Sequence, residues 1–192
     1  MLIRNESDII RLVKEDAWMM GILASAASLQ LPDWWVCAGF VRSKIWDVQH
    51  GYTERTQLQD IDVIYYDRSE LRPEADQSLE SRLKQQHPGI PWSVKNQARM
   101  HKVNDLKPYR SSTDAISKFP ETATALGLSL RQDGEVILSA PHGAEDALRL
   151  VVRPTPYFTA NPHLWPVYEK RIATKSWQSI WTGLRVLPAG KR

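Results

Sequence analysis

Apolar residues recur along this chain with two different periods. Between residues 6 and 30 they follow helical spacing, which predicts one or two helices. Residues 34–38 form a short apolar run that ends at Gly39, and helical spacing resumes from Val41 to Val48. The predicted order is therefore strand, glycine, helix. A glycine at such a junction lets a ligand approach the backbone, and the free amides at a helix start favour phosphate.

A second predicted strand, residues 58–67, begins with two acids, Asp60 and Asp62, ahead of a β-branched and aromatic run. Successive side chains of a strand point to opposite faces, so the two carboxylates are expected on one face with Cα atoms roughly 7 Å apart. Like charges held side by side repel, and a bound cation relieves the repulsion. Mg²⁺ suits carboxylate oxygens combined with substrate phosphates. The alternative is a solvated pair at the start of an edge strand.

The rest of the pattern predicts mixed secondary structure. A charged helix is expected over residues 69–87, and a third strand over residues 90–97 with Trp92, Val94 and Asn96 on one face. An Asp-Gly pair at 133–134 predicts a hairpin, and the longest later helix is expected from about residue 162 to 175. The fold class predicted is α+β with an α/β-type core, a small mixed β-sheet flanked by helices.

Composition narrows the class of protein. At 192 residues the chain can form one domain with a substantial core. No apolar run approaches the roughly 18 residues of a membrane span, and the N-terminus has no secretory pattern. Cys37 is the single cysteine, which excludes an internal disulfide and fits a reducing compartment. We therefore expect a cytoplasmic protein without a membrane partner.

Charge is distributed unevenly around the net value of +3. From residue 149 to the end there are eight basic residues and one acidic residue. This imbalance indicates contact with an anion such as nucleotide phosphates or RNA, although a solvated basic helix explains it equally well. We expect a core over residues 1–148 and a basic helical extension over residues 149–192, packed on the core as a single compact unit. Trp177 and Trp181, four residues apart, are expected to dock that extension.

The order strand, glycine, helix and Asp-x-Asp strand resembles the polymerase-β-like nucleotidyltransferase superfamily. Within it, the chain is similar to a family of small bacterial nucleotidyltransferase family proteins. The residues that carry the resemblance are 33–42, Trp46-Asp47, 60–67, 94–101, 140–143 and Asp146.

The resemblance implies a polymerase-β-like core with an added C-terminal helical segment. It also implies a magnesium-dependent transfer of a nucleoside monophosphate from a nucleoside triphosphate to an acceptor. Asp60 and Asp62 would be the catalytic residues and would hold Mg²⁺, with Mn²⁺ as the other candidate. The residues implied to bind the nucleotide are Gly39, Phe40, Arg42, Lys95 and Asn96. For Arg42 a surface ion pair is the alternative, and for Lys95 and Asn96 a solvated strand end.

The sequence departs from the family pattern at three places. Phe40 stands where a second glycine or serine is usual, and the 21 positions from Gly39 to Asp60 exceed the usual spacing, which implies an insertion at residues 50–59. Residues 92–97 contain no acid, although a third carboxylate is expected on that strand. Asn96 as a metal ligand or Glu135 as a base could compensate. The alternative function is a catalytically lapsed nucleotide-binding, RNA-binding or protein-interaction module of the same fold. A third hypothesis is RNA binding through the basic C-terminal region. The acceptor stays open among a small molecule, a protein and RNA.

Overall fold

The computed structural model of the protein describes residues 3–190, apart from the side chain of Asn104, and these residues are built around a five-stranded sheet. The strands are β1 (Trp35–Cys37), β2 (Ile61–Tyr65), β3 (Trp92–Asn96), β4 (Gly127–Leu130), β5 (Val136–Ser139), β6 (Val151–Val152) and β7 (Arg185–Val186). The helices are α1 (Glu6–Lys14), α2 (Ala17–Ala27), α3 (Gly39–Gln49), α4 (Pro73–Gln86), α5 (Gln97–Met100), α6 (Ser112–Ile116), α7 (Glu145–Leu148), α8 (Pro156–Ala160), α9 (Trp165–Lys175) and α10 (Trp177–Ile180).

The five-stranded sheet is mixed. Its strand order is β3-β2-β1-β4-β5, in which β2 and β3 run parallel and every other neighbouring pair runs antiparallel. Strands β6 and β7 form a separate parallel pair. This arrangement confirms the predicted α+β class and the small mixed sheet flanked by helices.

Local sequence explains where the long helices begin. The Asn5 side chain accepts a hydrogen bond from the Asp8 amide at the start of α1, and Asp16 does the same for the Met19 amide at α2. Each bond satisfies one of the amides that lack an intrahelical partner. Helix α4 begins at Pro73, because proline fits the first helical position and cannot follow a preceding helical turn.

The two faces of the sheet have different neighbours. Ile61, Val63 and Tyr65 of β2 belong to the main hydrophobic core. On the opposite face, Cys37 and Ile64 belong to a smaller apolar cluster. Cys37 pairs in register with Asp62, so Asp62 lies at the border of this second cluster. The period of two therefore fixes which face carries the acid.

The C-terminal segment packs on α3. Trp177 and Trp181 are buried and meet the Trp46 ring edge-on, with centroids 5.6 and 5.0 Å away. This is the docking that their spacing predicts, while the division of the chain at residue 149 stays a prediction. None of the helices within residues 3–190 is long and apolar enough to cross a membrane.

Candidate functional site

Asp60 and Asp62 lie at the start of β2, the first just before the strand and exposed, the second within it and partly buried. Burial, and after it the negative charge of Asp60, raise the pKa of the Asp62 carboxyl to about 6. The hydroxyl of Ser93 on the neighbouring strand acts in the opposite direction. Within the described residues, neither carboxylate forms an ion pair. The pair is therefore held in mutual repulsion, which a cation would relieve.

The turn between β1 and α3 faces this pair with free backbone donors. Ala38 adopts φ 54° and ψ −113°, a strained conformation for a residue with a Cβ. Its carbonyl accepts from the amides of Val41 and Arg42. The amides of Gly39 and Phe40 are left without acceptors within residues 3–190, as expected for the first positions of a helix. Phe40 offers only this amide, because its side chain is buried in the core.

Arg42 is a buried cation surrounded by tryptophan rings. Its guanidinium carbon lies 4.8 Å from the ring centroid of Trp46, 4.4 Å from that of Trp177 and 5.6 Å from that of Trp181. Its Nε and Nη1 have no hydrogen-bond partner within the described residues, and it forms no ion pair there. Burial lowers the pKa of this group to about 10. The alternative of a surface ion pair is therefore not what the structure shows within the described residues, and the predicted phosphate contact of Arg42 stays a prediction.

Two cavities flank the aspartate pair. The Gly39 cavity, about 90 Å³, is lined by Gly39, Arg42, Asp60 and Lys175 with parts of α10 and of residues 57–59. The Lys95 cavity, about 240 Å³, is lined by Asp62, Lys95 and Arg171 together with apolar side chains. A third cavity of about 760 Å³ shares residues 57–59 and Ile180 with the Gly39 cavity, so these two adjoin.

Asp47 holds the segment that carries Asp60 in place. This buried carboxylate accepts from the Thr56 amide at 3.0 Å, from the Thr56 hydroxyl at 2.7 Å and from the indole nitrogen of Trp181 at 2.8 Å. Arg55 donates to Asp16 at the start of α2. The polar stretch before β2 is thus tied to α3 and α2, and through Asp47 to the residue that follows α10; its end lies beside Gly39.

The structure does not bring every predicted residue to the site. Asn96 pairs in register with Tyr65, on the face away from Asp62, and is fully buried. Its amide donates to the carbonyls of Asp67 and Glu70, and its oxygen accepts from the amides of Asp67 and Ala98. With all of its polar atoms used, Asn96 holds the ends of β2 and β3 together. Lys95, one residue earlier, lies on the Asp62 face.

In the part of the chain that the structure describes, no third carboxylate joins the pair. Among the described residues, no group of three or more His, Cys, Asp or Glu side chains could hold a metal ion. In β3, the residues on the Asp62 face are Ser93 and Lys95. Glu135 lies at the β4–β5 hairpin, exposed and ion-paired with Lys14 of α1, and does not line either flanking cavity. The site therefore has two acids.

Several residues around the aspartates are not found by sequence reasoning. Glu121 is fully buried and accepts from Arg171 Nε at 2.8 Å and from the Thr124 hydroxyl at 2.6 Å. Arg171 and Lys175 stand one turn apart on α9, one in each flanking cavity. Their basic character is visible in the sequence, but nothing local indicates which of the eight C-terminal cations approach the aspartates.

A strand, a helix start with free amides and a neighbouring Asp-x-Asp strand in a mixed sheet define a nucleotidyltransferase-type fold. A family model described as Nucleotidyltransferase matches residues 24–186, and the chain belongs to that family. No curated protein matches the chain. Family membership supports nucleotide transfer in general, a chemistry for which nucleotidyltransferases generally use divalent metals.

Solved structures agree on the fold. The NMR structure of a protein described as a CCA-adding enzyme head domain matches with 36% identity and a TM-score of 0.88, covering 97% of each chain. A CCA-adding enzyme in complex with ATP has 14% identity and a TM-score of 0.55. The Thermotoga maritima CCA-adding enzyme complexed with tRNA has 14% identity and a TM-score of 0.51. Each of these two alignments covers 97% of this chain but only 44% and 43% of the larger enzymes.

Proposed function

We propose that this protein is a magnesium-dependent nucleotidyltransferase that moves a nucleoside monophosphate from a nucleoside triphosphate to a hydroxyl of an acceptor. The proposal rests on charges of both signs that lie near one another at one site without forming an ion pair with one another. Two repelling carboxylates, Asp60 and Asp62, stand beside the free amides of α3 and the unpaired buried cation of Arg42. A triphosphate with a divalent cation complements all three features.

The residues present fit a divalent cation. Asp60 and Asp62 supply hard oxygen ligands, and burial together with the charge of Asp60 disfavours the ionised Asp62 in the absence of a cation. Mg²⁺ takes one or two carboxylates plus substrate phosphates, which matches a site with two acids; Mn²⁺ is the other candidate. When bound, the cation neutralises triphosphate charge and polarises the α-phosphate.

The chain's own residues would orient the phosphates. The amides of Gly39 and Phe40 donate to phosphate oxygens, and Arg42 and Lys175 face the same cavity with positive charge. The adjoining cavity of about 760 Å³ has room for the nucleoside. The acceptor oxygen forms a bond to the α-phosphorus, and the bond from that phosphorus to the β-phosphate oxygen breaks. Pyrophosphate leaves, and the hydroxyl proton passes to solvent.

The test is binding followed by turnover. Thermal melting with ATP, CTP, GTP and UTP, each with and without Mg²⁺, should show stabilisation that needs the metal. Pyrophosphate release in the presence of candidate acceptors should follow. The Asp62→Asn variant should lose metal-dependent stabilisation, while the matched control Glu74→Gln, which removes an exposed carboxylate on α4, should retain it. Unchanged metal-dependent binding in Asp62→Asn would contradict the proposal.

A catalytically lapsed nucleotide-binding protein of the same fold is the second candidate. The observation that favours it is the absence of a third acid near Asp62 among the described residues. It predicts the same metal-dependent stabilisation without pyrophosphate release for any acceptor. RNA binding through the basic C-terminal region stays a prediction. Two of its cations are engaged internally, Arg153 with Asp146 and Arg171 with Glu121.

A further inference from the structure

The Lys95 cavity is separated from the proposed triphosphate site by the aspartates themselves. The two flanking cavities share no lining residue: Gly39 and Asp60 line one, and Ala38 and Asp62 line the other. On α9, Lys175 belongs to the first and Arg171, one helical turn earlier, to the second. The cavities therefore lie side by side along α9, about one 5.4 Å turn apart, with the aspartate pair between them.

The geometry of phosphoryl transfer indicates which cavity holds the leaving group and which holds the attacking group. The attacking and leaving oxygens must approach the α-phosphorus from opposite sides. If the leaving pyrophosphate is held by Arg42 and the α3 amides in the Gly39 cavity, the attacking hydroxyl must come from the other side of the aspartates. That side is the Lys95 cavity. This step rests on the proposed function.

The lining of the Lys95 cavity indicates what kind of acceptor it takes. Part of its wall is apolar and aromatic, and the neutral polar side chains of Gln97 and Thr124 also line it. The apolar and aromatic part includes Ile64, Met100, Tyr109 and Phe119. Lys95 points to the same face as Asp62 and, within the described residues, forms no ion pair or side-chain hydrogen bond. An ammonium that is partly buried, has no such partner among the described residues and lies beside an apolar wall suits a compound that has one anionic group and an apolar or aromatic body.

The other cations of this cavity are already neutralised. Lys118 is paired with Asp114 at 2.7 Å, and Arg171 is paired with the buried Glu121. One unpaired cation cannot follow an RNA backbone, since polyanion binding depends on several Lys or Arg contacts to successive phosphates. A volume of about 240 Å³ is also small for a binding cleft. We propose that the Lys95 cavity is the acceptor site and takes a small hydroxyl compound with one carboxylate or phosphate, which Lys95 binds.

Phenyl phosphate is a suitable probe because it combines one anionic group with one flat ring. It should be titrated into isotope-labelled protein that is saturated with Mg²⁺ and an ATP analogue whose α,β-bridging oxygen is a methylene. The amide resonances of residues 93–97, Tyr109 and Phe119 should shift. Affinity should fall about tenfold or more in Lys95→Met, because a charge-assisted hydrogen bond is lost. It should recover to within about threefold in Lys95→Arg and stay unchanged in Lys14→Met, which removes an exposed cation on α1.

Three results would overturn the inference. One is that phenyl phosphate leaves these resonances unmoved; another is that Lys95→Met binds it as tightly as the wild type. The third is that an eight-nucleotide single-stranded RNA binds with a steep salt dependence and displaces phenyl phosphate. Failure of the proposed function looks different, because the ATP analogue would then not shift the Gly39 and Phe40 amides. Phenyl phosphate binding, measured without the analogue, would still decide the present inference.

Discussion

The carboxyl group of Asp62 should lower the stability of the metal-free protein at neutral pH. Its ordinary pKa is 3.8, and burial together with the charge of Asp60 raises the pKa in the folded state to about 6. Between these values the folded protein holds a proton that the unfolded chain has released. The free energy of unfolding therefore falls as the pH rises through this window, and the loss is complete about one pH unit above the folded pKa.

The size of the effect follows from the shift. At 1.36 kcal/mol per pKa unit the full loss is about 3 kcal/mol, of which roughly 2 kcal/mol fall between pH 4.5 and pH 8. An asparagine at this position does not titrate. The free energy of unfolding of Asp62→Asn, minus that of the wild type, should therefore become more positive by about 2 kcal/mol from pH 4.5 to pH 8.

Urea unfolding of both proteins at pH 4.5, 6 and 8, with a chelator present, measures this difference. Glu74→Gln controls for the loss of one negative charge at an exposed position on α4 and should show no comparable pH dependence. Millimolar Mg²⁺ should flatten the wild-type profile, because a bound cation favours the ionised carboxylate. A stability difference that does not vary with pH would refute the reasoning, since Asp62 would then not be held in a repulsive, desolvated environment.

Substitutions at three further positions separate binding from folding. A Cβ at Gly39 would lie 3.5 Å from Arg42 Nη2, so Gly39→Ala should be tolerated. The larger Gly39→Val should weaken Mg-ATP binding about tenfold or more at similar stability, measured by calorimetry; equal affinity would exclude this cavity as the triphosphate site. Arg42→Met should lower Mg-ATP affinity about tenfold while the free energy of unfolding stays equal or rises, because an unpaired buried cation is removed. A large loss of stability would show that the arginine is mainly structural. Asn96→Ala should leave two partly buried amides and two partly buried carbonyls without their partner and destabilise the fold by about 3 kcal/mol in urea unfolding. Its Mg-ATP affinity should be unchanged well below the melting temperature. If the folded variant bound Mg-ATP more weakly, Asn96 would have to be counted among the nucleotide-binding residues.

The parts of the site that sequence predicts are those encoded by local periodicity. The order of β1, Gly39, α3 and β2 follows from apolar spacing. The alternation of side chains along β2 places Asp62 on the face opposite to that of the core residue Val63. Whether Asn96 lies at the site depends instead on the parallel register of β3 with β2, because only that register shows which face of β3 is on the side of the aspartates. Alternation already groups Asn96 with Trp92 and Val94, but the sequence does not reveal what that face packs against.

Contacts at the site between segments that are far apart in the sequence are harder to predict. Glu121 and Arg171 are fifty residues apart, and their ion pair places one cation of α9 beside Asp62. Packing of this kind depends on the whole hydrophobic core. The sequence of a single helix indicates only which of its own faces is apolar, and not which segment packs against that face. The net charge of the C-terminal region therefore indicates an anionic partner without identifying the residues that meet it.

The charges of the Gly39 cavity explain why a site exists there at all. Arg42 is close enough to Asp60 and Asp62 for its pKa to respond to both, yet no ion pair joins them within residues 3–190. The rings of Trp46 and Trp177 hold the guanidinium in place, and an internal ion pair would have satisfied both signs of charge and left nothing for a ligand. Keeping unlike charges apart costs stability, which folded proteins tolerate mainly at functional sites. A triphosphate with its divalent cation carries positive charge for the aspartates and negative charge for the arginine in a single ligand.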